Sequence, residues 1–106
     1  MSNLNMEEII FEIIASAGEA KGLAYEALDK AQNGEYDKAE ELLKEADKAL
    51  LSVHSVQTSL IQEEAAGRKV EVSLLMVHAQ DHLMAAIESK TLIEGMIKLH
   101  KKVDLR

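Results

Sequence analysis

Between Leu74 and Ile87 the chain is apolar except for four polar side chains set close together: His78, Gln80, Asp81 and His82. Burying an imidazole or a carboxylate is costly unless the group is paired, bound to a metal or used in chemistry. At about 100° per residue, with His78 at zero, Asp81 falls near 300° and His82 near 40°, so all three share one face of a helix. Met76, Leu83 and Ile87 fall between about 140° and 180°, which is the natural core side. The polar face must then look into a groove or a seam between subunits.

Three chemistries fit this pattern. In the first, His78 and His82 pack and Asp81 is their hydrogen-bond partner, in a non-catalytic helical interaction module. In the second, histidines at i and i+4 with an aspartate between them hold zinc. No glutamate follows His78, so the His-Glu-x-x-His helix of metalloproteases is absent. In the third, one imidazole is a covalent nucleophile, carrying a free nitrogen lone pair at neutral pH. A transferred phosphoryl group needs donors around its oxygens, because its transfer rests largely on positioning and charge stabilisation. His82 is one turn away. Gln80 falls near 200° and turns away from His78 on its own helix, so its amide serves only across a seam.

The string Val77-His78-Ala79-Gln80-Asp81-His82-Leu83-Met84, with Ile13-Ile14-Ala15-Ser16-Ala17-Gly18 and His54-Ser55-Val56-Gln57-Thr58 upstream, resembles the lactose/cellobiose-type enzyme IIA proteins of the bacterial phosphoenolpyruvate-dependent sugar phosphotransferase system. The resemblance implies that His78 is the phosphoryl acceptor, through Nε2. It implies HPr as donor and a cysteine of enzyme IIB as acceptor, during uptake of a β-linked disaccharide. It further implies a homotrimer in which Asp81 of each subunit binds one shared divalent cation, expected to be Mg²⁺, on the threefold axis, with His82 and Gln80 in supporting roles. Three carboxylates meeting on an axis repel one another unless neutralised, and a hard cation suits oxygen ligands. Ala79 places the string nearer the cellobiose/diacetylchitobiose branch.

The elements that must hold these residues are all helical. The 106 residues contain no proline, tryptophan or cysteine and only three aromatic residues, while 47% are apolar. That composition favours helix over sheet and excludes disulfides and cysteine zinc sites. The i, i+3, i+4 rhythm predicts helix 1 from Asn5 to Gln32, helix 2 from Tyr36 to Ala66 and helix 3 from Val72 to Val103, with Ser73 as a cap. Asn33-Gly34 and Gly67 are the stops, and Arg68-Lys69 begins a short linker. Short connections make neighbouring helices antiparallel, so the expectation is an all-α, up-down-up three-helix bundle, one domain over residues 1–106. Glu40–Lys44 is expected as an ion pair on a solvated face. His54 is expected beside His78 or at a solvent edge, and His100 in solvent.

Helix 3 is apolar nearly all round, and two other helices cannot cover it; a second subunit must. The net charge of −7 argues against nucleic acid and anionic membranes. That charge is uneven. Residues 1–66 carry five lysines against fourteen carboxylates, or −9, whereas residues 67–106 carry seven basic groups against five acidic ones, or +2. The acidic start lacks the basic flank of a signal peptide, and no apolar run approaches the ~20 residues of a membrane span. A cytoplasmic protein is therefore expected.

Overall fold

A computed structural model describes residues 6–104 as three helices: α1 (Met6–Gln32), α2 (Tyr36–Ala65) and α3 (Leu74–Asp104), with no strand among the described residues. The expected start of helix 1 at Asn5 lies outside the described residues. The molecule is a rod of 56 × 21 × 20 Å.

The first two helices end for local reasons. Gly34 (φ 82°) and Gly67 (φ 90°) sit in the left-handed region open to glycine. Beside them Glu35 N–H donates to Lys30 O at 2.9 Å and Arg68 N–H to Glu63 O at 3.0 Å. These six-to-one bonds satisfy carbonyls that the helix ends would leave orphaned. The second connection is longer than the sequence suggests: Arg68 to Ser73 lie outside helix, so Val72 belongs to the linker. Ser73 is the cap, accepting through Oγ from Met76 N–H at 3.1 Å. Ser73→Ala should cost about 1 kcal/mol, lowering the melting temperature by roughly 4–8 °C, as read by circular dichroism.

The core divides in two along the rod. One cluster joins Ile9, Ile10, Ile13, Ala17 and Ala20 of α1 to Ala46, Leu50, Val53 and Leu60 of α2 and to Met76, Ala79, Leu83 and Ala86 of α3. The other joins Ala24, Ala27 and Ala31 of α1 to Ala39 of α2 and Ile93 and Ile97 of α3. The second cluster is built largely of alanine, which lets helices approach closely but buries little area per residue. Helix α1 packs along both other helices, whereas α2 and α3 approach each other less closely and leave a groove between them.

At the Gly34 end, Tyr36 Oη lies 2.8 Å from His100 Nδ1 and donates to the Asp104 carboxylate. That bond to Asp104, with burial and the carboxylate's charge adding to it, pushes the Tyr36 hydroxyl up to about 12. Lys101 lies 5.4 Å from the centre of the Tyr36 ring and pairs with Glu40 at 3.2 Å. Two expectations are corrected here. His100 is half-buried and hydrogen-bonded rather than free in solvent. Glu40 turns to Lys101 across the helices rather than to Lys44 along its own, because tertiary packing brings the more distant cation within reach.

Midway along the rod, Lys90 bridges Asp47 and Glu94. Burial works to lower the Lys90 ammonium, but the bonds to both carboxylates outweigh it and hold it above its usual range.

Candidate functional site

Helix α3 carries two apolar stripes. Met76, Ala79, Leu83, Ala86, Ile93 and Ile97 are buried against α1 and α2. The opposite stripe is bare: Leu74 is 86% exposed, Leu92 64% and Leu99 63%, with Val77, Met84, Met96 and Val103 also exposed. This second stripe explains why the sequence of helix 3 shows no solvated face.

His78 and Asp81 stand on the bare side, both exposed, and His82 is half-buried behind them. The rings of His78 and His82 lie edge to face, with centroids 4.8 Å apart and planes at 86°. That contact restricts the direction of the His78 ring and leaves one of its edges open. Leu74 and Leu75 form an apolar wall beside His78 around a shallow hollow of about 510 Å³. The expected grouping of His78, Asp81 and His82 on one face therefore holds, and within one chain that face is open to solvent.

Gln80 lies elsewhere. It is half-buried on the α2 side of α3, where its Oε1 accepts from Gln57 Nε2 at 2.5 Å, and its own Nε2 lies 3.9 Å from Met76 Sδ. These two amides sit in a mostly apolar groove of about 310 Å³ walled by Leu60, Ile61, Val70, Val72, Met76 and Val77, with Glu64 also lining it. Gln57 has no assigned role in the sequence reading. Its contact with Gln80 spans 23 residues and two helices, which no helical periodicity reveals.

His54 is not beside His78. It lines the middle of the α2–α3 groove with Ile87, Lys90 and Thr91, on the other flank of α3. No group of three or more His, Cys, Asp or Glu side chains among the described residues of one chain is arranged to hold a metal ion. A zinc site built by His78 and His82 alone would need further ligands from outside the chain. A carboxylate standing on a symmetry axis would find its companions in other copies. Among the described residues no helix is long and apolar enough to cross a membrane.

Known proteins share this arrangement across nearly the whole chain. The family profile described as "PTS system, Lactose/Cellobiose specific IIA subunit" matches residues 8–101. The lactose-specific EIIA component of Streptococcus mutans is 46% identical over 102 residues, covering 93% of this chain and 98% of that protein. The crystal structure of the cellobiose-specific enzyme IIA from Bacillus anthracis superposes with a TM-score of 0.91 at 42% identity, covering 97% of this chain and 95% of that one. A solution structure of the IIA(Chitobiose)–HPr complex from the N,N'-diacetylchitobiose branch of the Escherichia coli phosphotransferase system gives a TM-score of 0.82 at 39% identity, covering 95% and 98%. Three sugar names thus appear among relatives of similar identity. Their common ground is the family: the chain belongs to the lactose/cellobiose-specific IIA subunits of the phosphotransferase system.

Proposed function

We propose that this protein is a cytoplasmic phosphoryl carrier that takes a phosphoryl group from phosphorylated HPr onto His78 Nε2 and passes it to a cysteine of enzyme IIB. The observation that carries this reading is the exposed His78 ring, braced edge-on by His82 and rimmed by Leu74 and Leu75. In the loading step the lone pair of His78 Nε2 forms the new P–N bond. The electron pair of the breaking P–N bond returns to the donor imidazole of HPr. With the His78 proton held on Nδ1, no proton leaves the attacking nitrogen. Unloading repeats the displacement with a thiolate as nucleophile.

The chain acts as a homotrimer of up-down-up bundles in this reading. Leu74, Asp81, Leu92 and Leu99 lie within about 20° of one another around α3, flanked by the exposed Val77, Met84, Met96 and Val103, with Glu88 on the same stripe. Three copies of α3 packed in parallel bury this stripe and bring the three Asp81 carboxylates together. The carboxylates fit a hard divalent cation, Mg²⁺, whose charge would offset their repulsion. In such a bundle one flank of each helix meets the opposite flank of the next. His78, near 0°, then faces the Val77 and Met84 flank of its neighbour, near 240–260°. Beyond that flank lies the groove that holds Gln80, so the neighbour's Gln80 amide becomes the donor to the phosphoryl oxygens. The substrate sugar is a β-linked disaccharide, for which Ala79 favours the cellobiose/diacetylchitobiose branch over the lactose branch.

The test is direct. Incubated with phosphoenolpyruvate, the first enzyme of the pathway and HPr, the protein should gain one acid-labile, base-stable phosphate per chain, measured by intact mass. Omitting HPr should abolish the gain. A chain that stays unmodified with all components present would leave the interaction-module reading, in which the histidines only pack.

A further inference from the structure

Gln57 and Gln80 pair in a groove whose walls are mostly apolar, with Glu64 the other polar residue lining it, and the phosphoryl-carrier chemistry gives Gln57 no role. An amide has two unlike ends, a carbonyl that accepts and an NH₂ that donates. A phosphoryl group offers only acceptor oxygens at its rim, so it is helped by the NH₂ end of Gln80 and repelled by the carbonyl end. Terminal rotation of a glutamine amide is broad and two-fold, and it exchanges the two ends freely unless something fixes it. Gln57 fixes it. Its Nε2 donates to Gln80 Oε1, which occupies the carbonyl end and leaves the Gln80 NH₂ with only the weak acceptor Met76 Sδ at 3.9 Å. Met76 itself is buried in the core, so the Gln80 side chain is held from both sides.

We infer that Gln57 is a positioning residue for phosphoryl transfer. It holds the Gln80 amide with its NH₂ end ready for the phosphoryl group on the adjacent copy's His78. The inference rests on the trimeric carrier reading. It adds that the acceptor site needs α2 of the neighbouring copy as well as α3, and that its orientation is set by one inter-helix hydrogen bond. Gln57 touches no reacting atom in this arrangement, and the structure already holds the pair in one chain before any assembly.

Two variants and one mixing experiment test this. Gln57→Met keeps the length of the side chain and removes the donor. In single-turnover loading from phosphorylated HPr at saturating donor it should slow transfer about fivefold, the effect of one neutral hydrogen bond, with helical content and trimer mass unchanged. Gln57→Glu keeps the shape but only accepts. It should turn the Gln80 carbonyl toward the phosphoryl group and be slower than Gln57→Met. Gln57→Met copies are then unfolded and refolded with an equal amount of His78→Ala copies. Across all refolded trimers about half of the surviving His78 groups should sit beside an intact Gln57 and load at the wild-type rate, giving a fast phase absent from either parent. Wild-type rates in both variants would overturn the role of Gln57. A single slow phase in the mixture would overturn the reach across the seam. Failure of the wild type to load at all would instead remove the carrier reading beneath it, so the failures are distinguishable.

Discussion

His78→Ala should take up no phosphate from phosphorylated HPr, a loss on the order of 10³-fold or more, because the proposed nucleophile is gone and no other histidine among the described residues is placed to replace it. His82 is half-buried and its ring lies edge to face with that of His78. His54 lines the opposite flank of α3, and His100 is bonded to Tyr36 at the far end. Folding should be nearly untouched. His78 is exposed and belongs to neither core cluster, and exposed substitutions away from special features usually change stability by within about 0.5 kcal/mol. The measurement is intact mass after incubation with the donor chain, paired with thermal unfolding. A variant that still carries acid-labile phosphate would remove His78 as acceptor.

The second large effect is expected at Asp81. The wild type should sediment as a trimer of about three times 11.7 kDa at micromolar concentration. Chelation of divalent cations should weaken it, with about 3 kcal/mol of trimer stability lost where the cation had been present at a hundred times its dissociation constant. Asp81→Asn should make the trimer indifferent to chelator. It removes three charges that repel one another when no cation sits between them, so the variant should equal or exceed the chelated wild type. The comparison is thermal unfolding and sedimentation of both proteins with and without chelator. Equal sensitivity in the two would exclude Asp81 as the ligand, and a monomer of 11.7 kDa would leave the bare stripe of α3 without an occupant.

The helices and the placement of His78, Asp81 and His82 were legible in the sequence because they depend on short-range regularities. Spacings of three and four fix a face, Ser73 caps through its own hydroxyl, and Gly34 and Gly67 stop helices where φ turns positive. What stayed hidden depends on which helices become neighbours. Gln57 meets Gln80, Glu40 meets Lys101 and Tyr36 meets His100 across separations of 23, 61 and 64 residues. No local pattern encodes such pairs. Ile61, an isoleucine next to buried Leu60 on α2, is 61% exposed. It lines the α2–α3 groove, where the two helices stand apart and cover it poorly.

The split core also assigns separate duties to the two ends of the rod. His78 and Asp104 are separated by 26 residues of continuous helix, roughly 39 Å. The His78 end holds the larger cluster, with isoleucine, leucine, valine and methionine among its alanines, whereas the Gly34 end has a smaller one of four alanines with Ile93 and Ile97, joined by the polar fasteners around Tyr36. Local opening is cheapest where little apolar area must be re-exposed. The Gly34 end can therefore fray and reclose while the histidine end keeps its shape. A partner loading or unloading the phosphoryl group would meet a stiff surface, and the loop joining α1 to α2 would be the place where added sequence disturbs the relay least.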